Sequence, residues 1–163
     1  MSTPASTATR MFCTFRLGER LFGVDILDVK EVTAETSYTR VAHAPDEVLG
    51  LVNIRGHIFL ALDLRRLLGM PATTLTTESR LVLFKPSVGS AFGVVVDRIS
   101  DIQTADSERI EAFVPTDHER AATSLGRSDL IAAVCELPDE LLVVLSPARF
   151  LAVVEQKLAA SST

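Results

Sequence analysis

The segment VLGLVNIRGHIFLALDLRRLLG, residues 48–69, is apolar at almost every position except around one glycine. Its two apolar runs, 50–54 and 58–64, are separated by a short turn that contains Arg55, and this spacing is typical of a β-hairpin. Asp63 then precedes the run LRRLL, which ends at a glycine, as expected for a helical turn with an N-cap. The segment therefore predicts two buried strands and a helical turn, with an arginine at the tip of the hairpin.

An arginine at this tip is either a solvated turn residue or the fixed half of an ion pair. If its partner is an acid on an adjacent strand, Glu31 is the best candidate, because it lies between Val29 and Val32, where an unpaired carboxylate would be costly to bury. A preorganised Arg-carboxylate pair bordered by β-branched residues would form a docking patch with an arginine anchor. The sequence pattern leaves both interpretations of Arg55 open.

Strand-like runs on both sides of this segment predict further hairpins. Residues 11–17 and 21–27 are rich in β-branched and aromatic residues and flank a turn with a glycine. Residues 26–32 predict a turn that leads into a strand, and the aperiodic stretch 36–45 predicts a connection. The sequence predicts two more hairpins at 79–102 and 130–145, the latter turning at Pro138-Asp139.

The remaining segments predict a linker, an irregular region, a helix and two tails. The polar stretch 70–79 is the predicted linker, and 103–128 is predicted to be irregular. Residues 146–160 begin with Ser-Pro and predict a helix. Ends rich in serine, threonine and alanine predict disordered tails at 1–10 and 159–163.

An internal repeat relates the two halves of the chain. FGVDILDVKEV at 22–32 and FGVVVDRISDI at 92–102 match at Phe, Gly and Val and again at later positions, all at one offset. Chance similarity between valine-rich strands could give these matches. The order of elements also repeats as hairpin, connection, second hairpin and short helix, which favours a true repeat. It predicts two β lobes, at about 18–78 and about 79–145.

Lobes of this kind suggest small closed barrels. About five short strands per half, with a terminal helical turn, are what a small barrel needs to remove its edges. A barrel of this size is filled by its own side chains and has no interior for a substrate. Function is therefore expected on the outer surfaces or in the groove between the lobes.

Composition and charge argue against several classes of function. The net charge is −5 without a basic block, which disfavours nucleic acid or an anionic membrane as the main partner. The N-terminus lacks the apolar core of a signal peptide and no apolar run could span a bilayer, so a cytosolic protein without membrane insertion is predicted. Cys13 and Cys135 lie in strand-like runs and are predicted to be buried free thiols.

No credible active site can be assembled from the sequence. It has no GxSxG motif and no glycine-rich phosphate loop, and its three histidines lie in dissimilar contexts. The stretch HAPDE at 43–47 comes nearest to metal-ligand spacing and is a weak candidate for a zinc site. The sequence therefore predicts a protein that is not an enzyme, with no catalytic residues, metal ion or other cofactor.

Several segments together resemble the CheW-type coupling proteins of bacterial chemotaxis arrays. They are FRLGERLFGVDILDVKEV, TRVAHAPDEVLGLVNIRG followed by LALDLRRLLG, AFGVVVDRISDI, and LIAAVCELPDELLVVLSPARFL. They cover about residues 12–155 in the order of the family, and the NIRG hairpin ending in LDLR is the most telling part.

The resemblance implies one CheW-like domain over 11–158, built from two five-stranded SH3-like β-barrels around a shared core, with a C-terminal helix. It implies a non-catalytic adaptor that couples transmembrane chemoreceptors to the histidine kinase CheA. Such proteins contact the regulatory domain of the kinase through the barrels, and the cytoplasmic tip of the methyl-accepting receptor in the groove between lobes. The expected protein is cytoplasmic, recruited to membrane-associated receptor arrays, and a monomer when isolated.

The resemblance also assigns a docking site. In the family a glutamate and an arginine pair near the receptor surface, and by position they fall on Glu31 and Arg55. Two valines flank the same patch, and the turn that carries the arginine belongs to it. The residues expected to dock receptor or kinase are Glu31, Arg55, Val29, Val32, Asn53 and Gly56.

Departures from the family pattern leave alternatives open. The family usually has proline where this chain has Leu60, and glycine in the last hairpin where it has Ala132-Ala133. A paralogous scaffold in a receptor–kinase pathway other than chemotaxis is therefore one alternative. A detached copy of the regulatory domain of the kinase, or of a coupling protein with a response-regulator domain, is another, disfavoured because the chain has no room for a receiver domain or kinase core. The third is a small enzyme that uses the groove between lobes.

Overall fold

The computed structural model describes residues 8–35, 37–72, 74–113 and 128–161. Within these residues the chain forms two β-sheets, one long C-terminal helix and several short helical turns, which confirms the predicted all-β fold. No helix in the described ranges is long and apolar enough to cross a membrane.

Twelve strands and two α-helices make up the described chain. Short 3₁₀ turns lie at Ile26–Asp28, Ser107–Arg109 and Ser128–Leu130. In chain order the elements are β1 (Thr9–Leu17), β2 (Arg20–Asp25), β3 (Val29–Thr33), β4 (Val48–Ile54), β5 (His57–Asp63), α1 (Leu64–Leu67), β6 (Arg80–Phe84), β7 (Phe92–Val96), β8 (Arg98–Ile99), β9 (Gln103–Asp106), β10 (Ile110–Ala112), β11 (Ile131–Glu136), β12 (Leu141–Leu145) and α2 (Pro147–Ser161).

The strands divide into a seven-stranded and a five-stranded sheet. The seven-stranded sheet has the order β10-β11-β12-β2-β1-β8, with β9 also paired to β1, and the five-stranded sheet has the order β3-β6-β7-β5-β4. The prediction of about five strands per lobe agrees with the five-stranded sheet, and the other sheet has seven strands. One reason is that β8 and β9 pair with separate parts of β1, residues 15–16 and 9–12, as two pieces of an interrupted strand.

The region 103–128, predicted to be irregular, contains β9 and β10. Ala105 is the one buried residue in these two strands, so the alternating apolar pattern that marks a strand in sequence is missing. They are strands because of their pairing with β1 and β11, which the local sequence does not reveal. Residues 114–127 of this region lie outside the described residues.

Strand pairing confirms the internal repeat. β2 and β7 carry the repeated FGV, and each pairs antiparallel with the strand before it and parallel with a third strand, β12 or β5. Phe22 lies opposite Val143, and Phe92 lies opposite Leu60. The two strands therefore occupy equivalent places in the two sheets.

The two halves of the chain are interlocked. After β2 the chain crosses to the five-stranded sheet, where β3 pairs with β6, and after β7 it crosses back, where β8 and β9 pair with β1. Each sheet therefore contains strands from both halves of the chain, and the lobe boundaries at about 18–78 and about 79–145 stay predictions. A sequence repeat identifies equivalent elements but does not determine which copies pair.

The predicted linker and tails are partly ordered. Ser79 is buried, and its Oγ accepts a hydrogen bond of 2.9 Å from the Thr76 amide, so the end of the segment 70–79 is a fixed turn. β1 begins inside the predicted N-terminal tail, and α2 extends to Ser161, inside the predicted C-terminal tail. Pairing with β9 and helix propagation give these ends the order that their composition does not predict. Residues 1–7 and 162–163 lie outside the described residues.

The buried apolar residues form three clusters. The largest draws on both sheets and both helices and contains five buried phenylalanines. The second comes from the seven-stranded sheet, and the third from the five-stranded sheet. This arrangement agrees with two filled β units around a shared core. Cys13 lies in the first cluster and Cys135 in the second; both are buried free thiols, as predicted, and burial raises the pKa of each.

An ion pair ties α1 to the crossing after β7. Asp63 caps α1 as predicted, and its Oδ1 accepts a hydrogen bond from the Arg65 amide. The Arg65 side chain donates from Nε to Asp97 Oδ1 at 2.8 Å and from Nη2 to Oδ2. Gly18, in the turn between β1 and β2, donates its amide to the same Asp97 carboxylate at 2.7 Å. The Asp97 cluster therefore joins elements of both sheets.

The equivalent glycines of the repeat predict unequal costs of substitution. A Cβ at Gly93 would lie 2.6 Å from the Val82 carbonyl oxygen, whereas a Cβ at Gly23 would have its nearest neighbour, a Leu142 side-chain carbon, at 3.2 Å. We expect Gly93→Ala to lower the free energy of unfolding by about 1–3 kcal/mol and Gly23→Ala by less than about 1 kcal/mol, because a Cβ at 2.6 Å from a backbone oxygen forces the strands to shift, whereas the backbone oxygen nearest to the Gly23 Cβ, that of Cys13, lies at 3.3 Å. Urea unfolding of both variants checks this, and equal losses would contradict it.

The Asp97 cluster predicts a pH-dependent contribution to stability. Burial alone would raise the pKa of Asp97, but hydrogen bonds from Arg65 and Gly18 hold that pKa below its ordinary value. A carboxyl group with a lowered folded pKa stabilises the fold above its unfolded pKa, and this stabilisation is lost as pH falls through the folded pKa. Asp97→Asn should therefore lower the free energy of unfolding by about 1–3 kcal/mol at pH 7.

The difference between wild type and Asp97→Asn should shrink as the pH falls from the ordinary pKa of an unfolded Asp carboxyl, about 4, through the lowered pKa of Asp97 in the fold. Urea unfolding at a series of pH values measures it. A loss that is the same at pH 7 and at the lowest pH would contradict the role assigned to the carboxylate.

Candidate docking site

The hairpin tip between β4 and β5 is a two-residue turn. Arg55 and Gly56 both have positive φ, 53° and 88°, which is the type I′ geometry that matches the twist of paired strands. Ile54 and His57 lie opposite each other on either side, so His57 belongs to β5 and not to the predicted three-residue turn. A non-glycine residue in this left-handed region costs about 1–2 kcal/mol, and the chain accepts that cost at Arg55.

A side-chain hydrogen bond supports this turn. The Gly56 amide donates to Asn53 Oδ1 at 2.8 Å, bridging from β4 to the second residue of the tip. Asn53 is exposed, as expected from its outward place between the buried residues Val52 and Ile54. Its amide side chain is therefore used to fix the backbone of the tip.

Glu31 lies on β3, next to a bulge. The register shifts between Val29, opposite Phe84, and Glu31, opposite Leu83, so that Lys30 is the extra residue. Arg55 Nη2 donates to Glu31 Oε2 at 2.7 Å. The predicted pairing of these two side chains is confirmed, although the Arg55 side chain is also 77% exposed and the Glu31 side chain 21%.

This ion pair links the two ends of the five-stranded sheet. β3 and β4 are the first and last strands in the order of hydrogen-bonded neighbours, and Arg55 follows β4 directly. Lys30 adds a second contact, with its Nζ 5.2 Å from the centre of the Phe59 ring on β5. Two side-chain contacts thus connect β3, at one edge of the five-stranded sheet, with the β4–β5 hairpin at the other edge.

The Glu31–Arg55 pair contributes more to geometry than to stability. Exposed ion pairs stabilise a fold by about 0–1 kcal/mol, because water screens them and two long side chains must be ordered. That gain in stability is no larger than the cost of the left-handed backbone at Arg55. Stability of the ion pair is therefore not the reason why the chain has an arginine in this turn. What the pair does is hold an exposed guanidinium in one place beside a carboxylate.

The two valines of β3 that were predicted to flank the pair differ in depth. Val32 is 38% exposed and lies at the surface, whereas Val29 is partly buried against the first apolar cluster. The six predicted residues, Glu31, Arg55, Val29, Val32, Asn53 and Gly56, are named the docking patch below.

Two exposed residues beside the docking patch were missed by the sequence analysis. Leu51 and Ile58 are 37% and 52% exposed, although β4 and β5 were predicted to be buried strands. The burial of β4 alternates from Gly50 to Ile54, and Ile58 lies opposite Asn53 on the partner strand. Apolar residues on both faces hid this alternation in the sequence.

The last residue of the segment HAPDE at 43–47 forms an ion pair within the fold. The side chain of this residue, Glu47, is 7% exposed and pairs with Lys157 of α2. Among the described residues no group of three or more His, Cys, Asp and Glu side chains is placed to hold a metal ion.

Comparison with known proteins gives consistent matches. The family model described as a CheW-like domain matches residues 11–155. "Chemotaxis protein CheW" of Rhizobium meliloti is 36% identical over 114 residues, which cover 69% of this chain and 73% of that protein. The protein of the same name from Klebsiella aerogenes is 33% identical over 104 residues, covering 64% of this chain and 62% of the relative, less than two thirds of its length.

A solved structure shares the fold. The crystal structure of the scaffolding protein TtCheW from Thermoanaerobacter tengcongensis matches with a TM-score of 0.74 at 24% sequence identity. The match covers 85% of this chain and 89% of that one. The two interlocked β units and the C-terminal helix are therefore an arrangement already known in a solved structure.

Proposed function

The chain belongs to the CheW-like family, and we propose that it couples chemoreceptors to a CheA-type histidine kinase as a non-catalytic adaptor in chemotaxis signal transduction. Proteins of this family are scaffolds without catalytic activity, and coupling of receptors to CheA is their known role. The family match over residues 11–155 is the observation that carries the proposal. It also removes the reason to consider a small enzyme acting in the groove between lobes.

The docking patch is the proposed receptor-facing site. Arg55 donates a hydrogen bond from Nη2 to Glu31. Its side chain is 77% exposed, so the rest of the guanidinium is accessible to a partner. A fixed arginine beside exposed apolar residues such as Val32 is the composition expected of a binding anchor. The cytoplasmic tip of a methyl-accepting receptor is the proposed partner at this patch, and the regulatory domain of the kinase is the proposed partner of the β units.

The proposed location follows from these partners. A protein that binds receptor tips and a kinase acts in the cytoplasm and is recruited to membrane-associated receptor arrays. The isolated chain is proposed to be a monomer that joins the array through its partners.

A paralogous scaffold in a receptor–kinase pathway other than chemotaxis is the second candidate. Leu60 occupies a position where the family usually has proline, and its amide donates to the Ala91 carbonyl at 2.9 Å, a hydrogen bond that proline would lack. This chain therefore has a backbone hydrogen bond at Leu60 that a proline at the same position could not donate. Co-purification with each receptor tip and CheA-type kinase of the same cell distinguishes the two pathways.

Charge reversal at Arg55 tests the docking role. We expect Arg55→Glu to abolish receptor-dependent control of the kinase while its free energy of unfolding stays within about 1 kcal/mol of wild type, because the ion pair is exposed. The measurement is phosphotransfer by a reconstituted mixture of receptor tips, kinase and adaptor, with urea unfolding of each variant.

Arg20→Glu is the matched control, because Arg20 is an exposed arginine at the start of β2 on the other sheet. It should couple normally. Adding Glu31→Arg to Arg55→Glu should restore part of the coupling if the two side chains act as a pair. Normal coupling by Arg55→Glu, or its failure to fold, would contradict the docking role.

A further inference from the structure

The conformation of Arg55 has a local cause on β4. The two residues of the tip are both left-handed, and arginine has a Cβ that disfavours this region. The Asn53 side chain reaches across the tip and accepts the Gly56 amide hydrogen at 2.8 Å. This hydrogen bond fixes the peptide group that immediately follows Arg55.

The Arg55 side chain needs such a support. It is 77% exposed and is held by one hydrogen bond to a carboxylate that itself sits on a different edge of the sheet. A long side chain with that exposure samples many rotamers unless its backbone already directs it toward its partner. A change in the backbone at Arg55 would direct the guanidinium away from Glu31.

We propose that Asn53 is a positioning residue of the docking patch: through its hydrogen bond to Gly56 it holds Arg55 in the left-handed conformation that presents the guanidinium to Glu31 and to a partner. Asn53 acts through Arg55 and makes no necessary contact with the partner itself. The part of this inference that concerns partner binding rests on the proposed function, whereas the part that concerns the conformation of Arg55 does not.

The first test uses the isolated full-length protein and needs no partner. ¹⁵N relaxation of the Arg55 Nε–H group reports whether the side chain is held. In wild type it should be more ordered than the exposed control Arg20, and in Asn53→Ala it should become as mobile as that control. Asn53→Asp, which keeps an acceptor oxygen at the same place, should retain the order.

Ile58→Ala is the matched truncation, because Ile58 lies opposite Asn53 and is 52% exposed. It should leave Arg55 ordered. Unfolding midpoints of all variants show whether the fold is kept. An Arg55 side chain that stays ordered in Asn53→Ala, or that is no more ordered than Arg20 in wild type, would overturn the inference.

The second test is a double-mutant cycle with a purified receptor-tip fragment. Asn53→Ala should weaken binding by about five- to tenfold, the scale of one lost hydrogen bond, and Asn53→Asp by less than about twofold. In an Arg55→Ala background, Asn53→Ala should add less than about a twofold further loss. An equal loss in both backgrounds would show that Asn53 contacts the partner directly and would overturn the positioning role. Absence of receptor binding by wild type would instead contradict the proposed function, and the relaxation experiment would still decide the role of Asn53.

Discussion

The pairing of β3 with β6 is the constraint on which the rest of the structure depends. It forces the chain to leave the seven-stranded sheet after β2 and so interlocks the two halves. It also makes β3 the outermost strand of the five-stranded sheet, opposite in order to β4. Because of that placement, an acid on β3 meets an arginine on a hairpin more than 20 residues later in the chain, at an edge where both remain accessible.

The docking patch combines a costly backbone with a weak ion pair, and this combination suits recognition better than stability. The exposed ion pair stabilises the fold by no more than the left-handed arginine costs. The fold is held elsewhere, by three apolar clusters and by the Asp97 cluster between the sheets. The patch is therefore free to present a charged group in a defined direction. Such preorganisation reduces the entropy lost when a partner binds.

Local sequence was sufficient to predict the elements that are marked by their own turn residues, capping residues or apolar runs. The hairpin at β4–β5, the cap at Asp63 and the start of α2 were all predicted, because turn residues, capping residues and apolar runs mark them directly. The partner of Arg55 was also identified, since Glu31 was an acid among residues suited to burial. The docking role proposed for this pair came from the resemblance to a known family, because periodicity alone left the role of Arg55 open.

Other features depend on contacts that local sequence does not encode. β9 and β10 exist because β1 and β11 pair with them, and the repeat identifies equivalent strands without specifying which copies pair. The sequence did not predict the exposure of Ile58, because β4 and β5 carry apolar residues on both faces and the structure is needed to show which face is buried. The role of Asn53 required a distance across the turn.

The most direct test of the docking account is a map of backbone amide chemical-shift changes when a receptor-tip fragment is added to the labelled protein. The account predicts that the largest changes fall on residues 29–33 of β3 and 53–57 at the hairpin tip, with smaller changes on the seven-stranded sheet. Changes concentrated on β10, β11 and β12, with 29–33 and 53–57 unaffected, would contradict it.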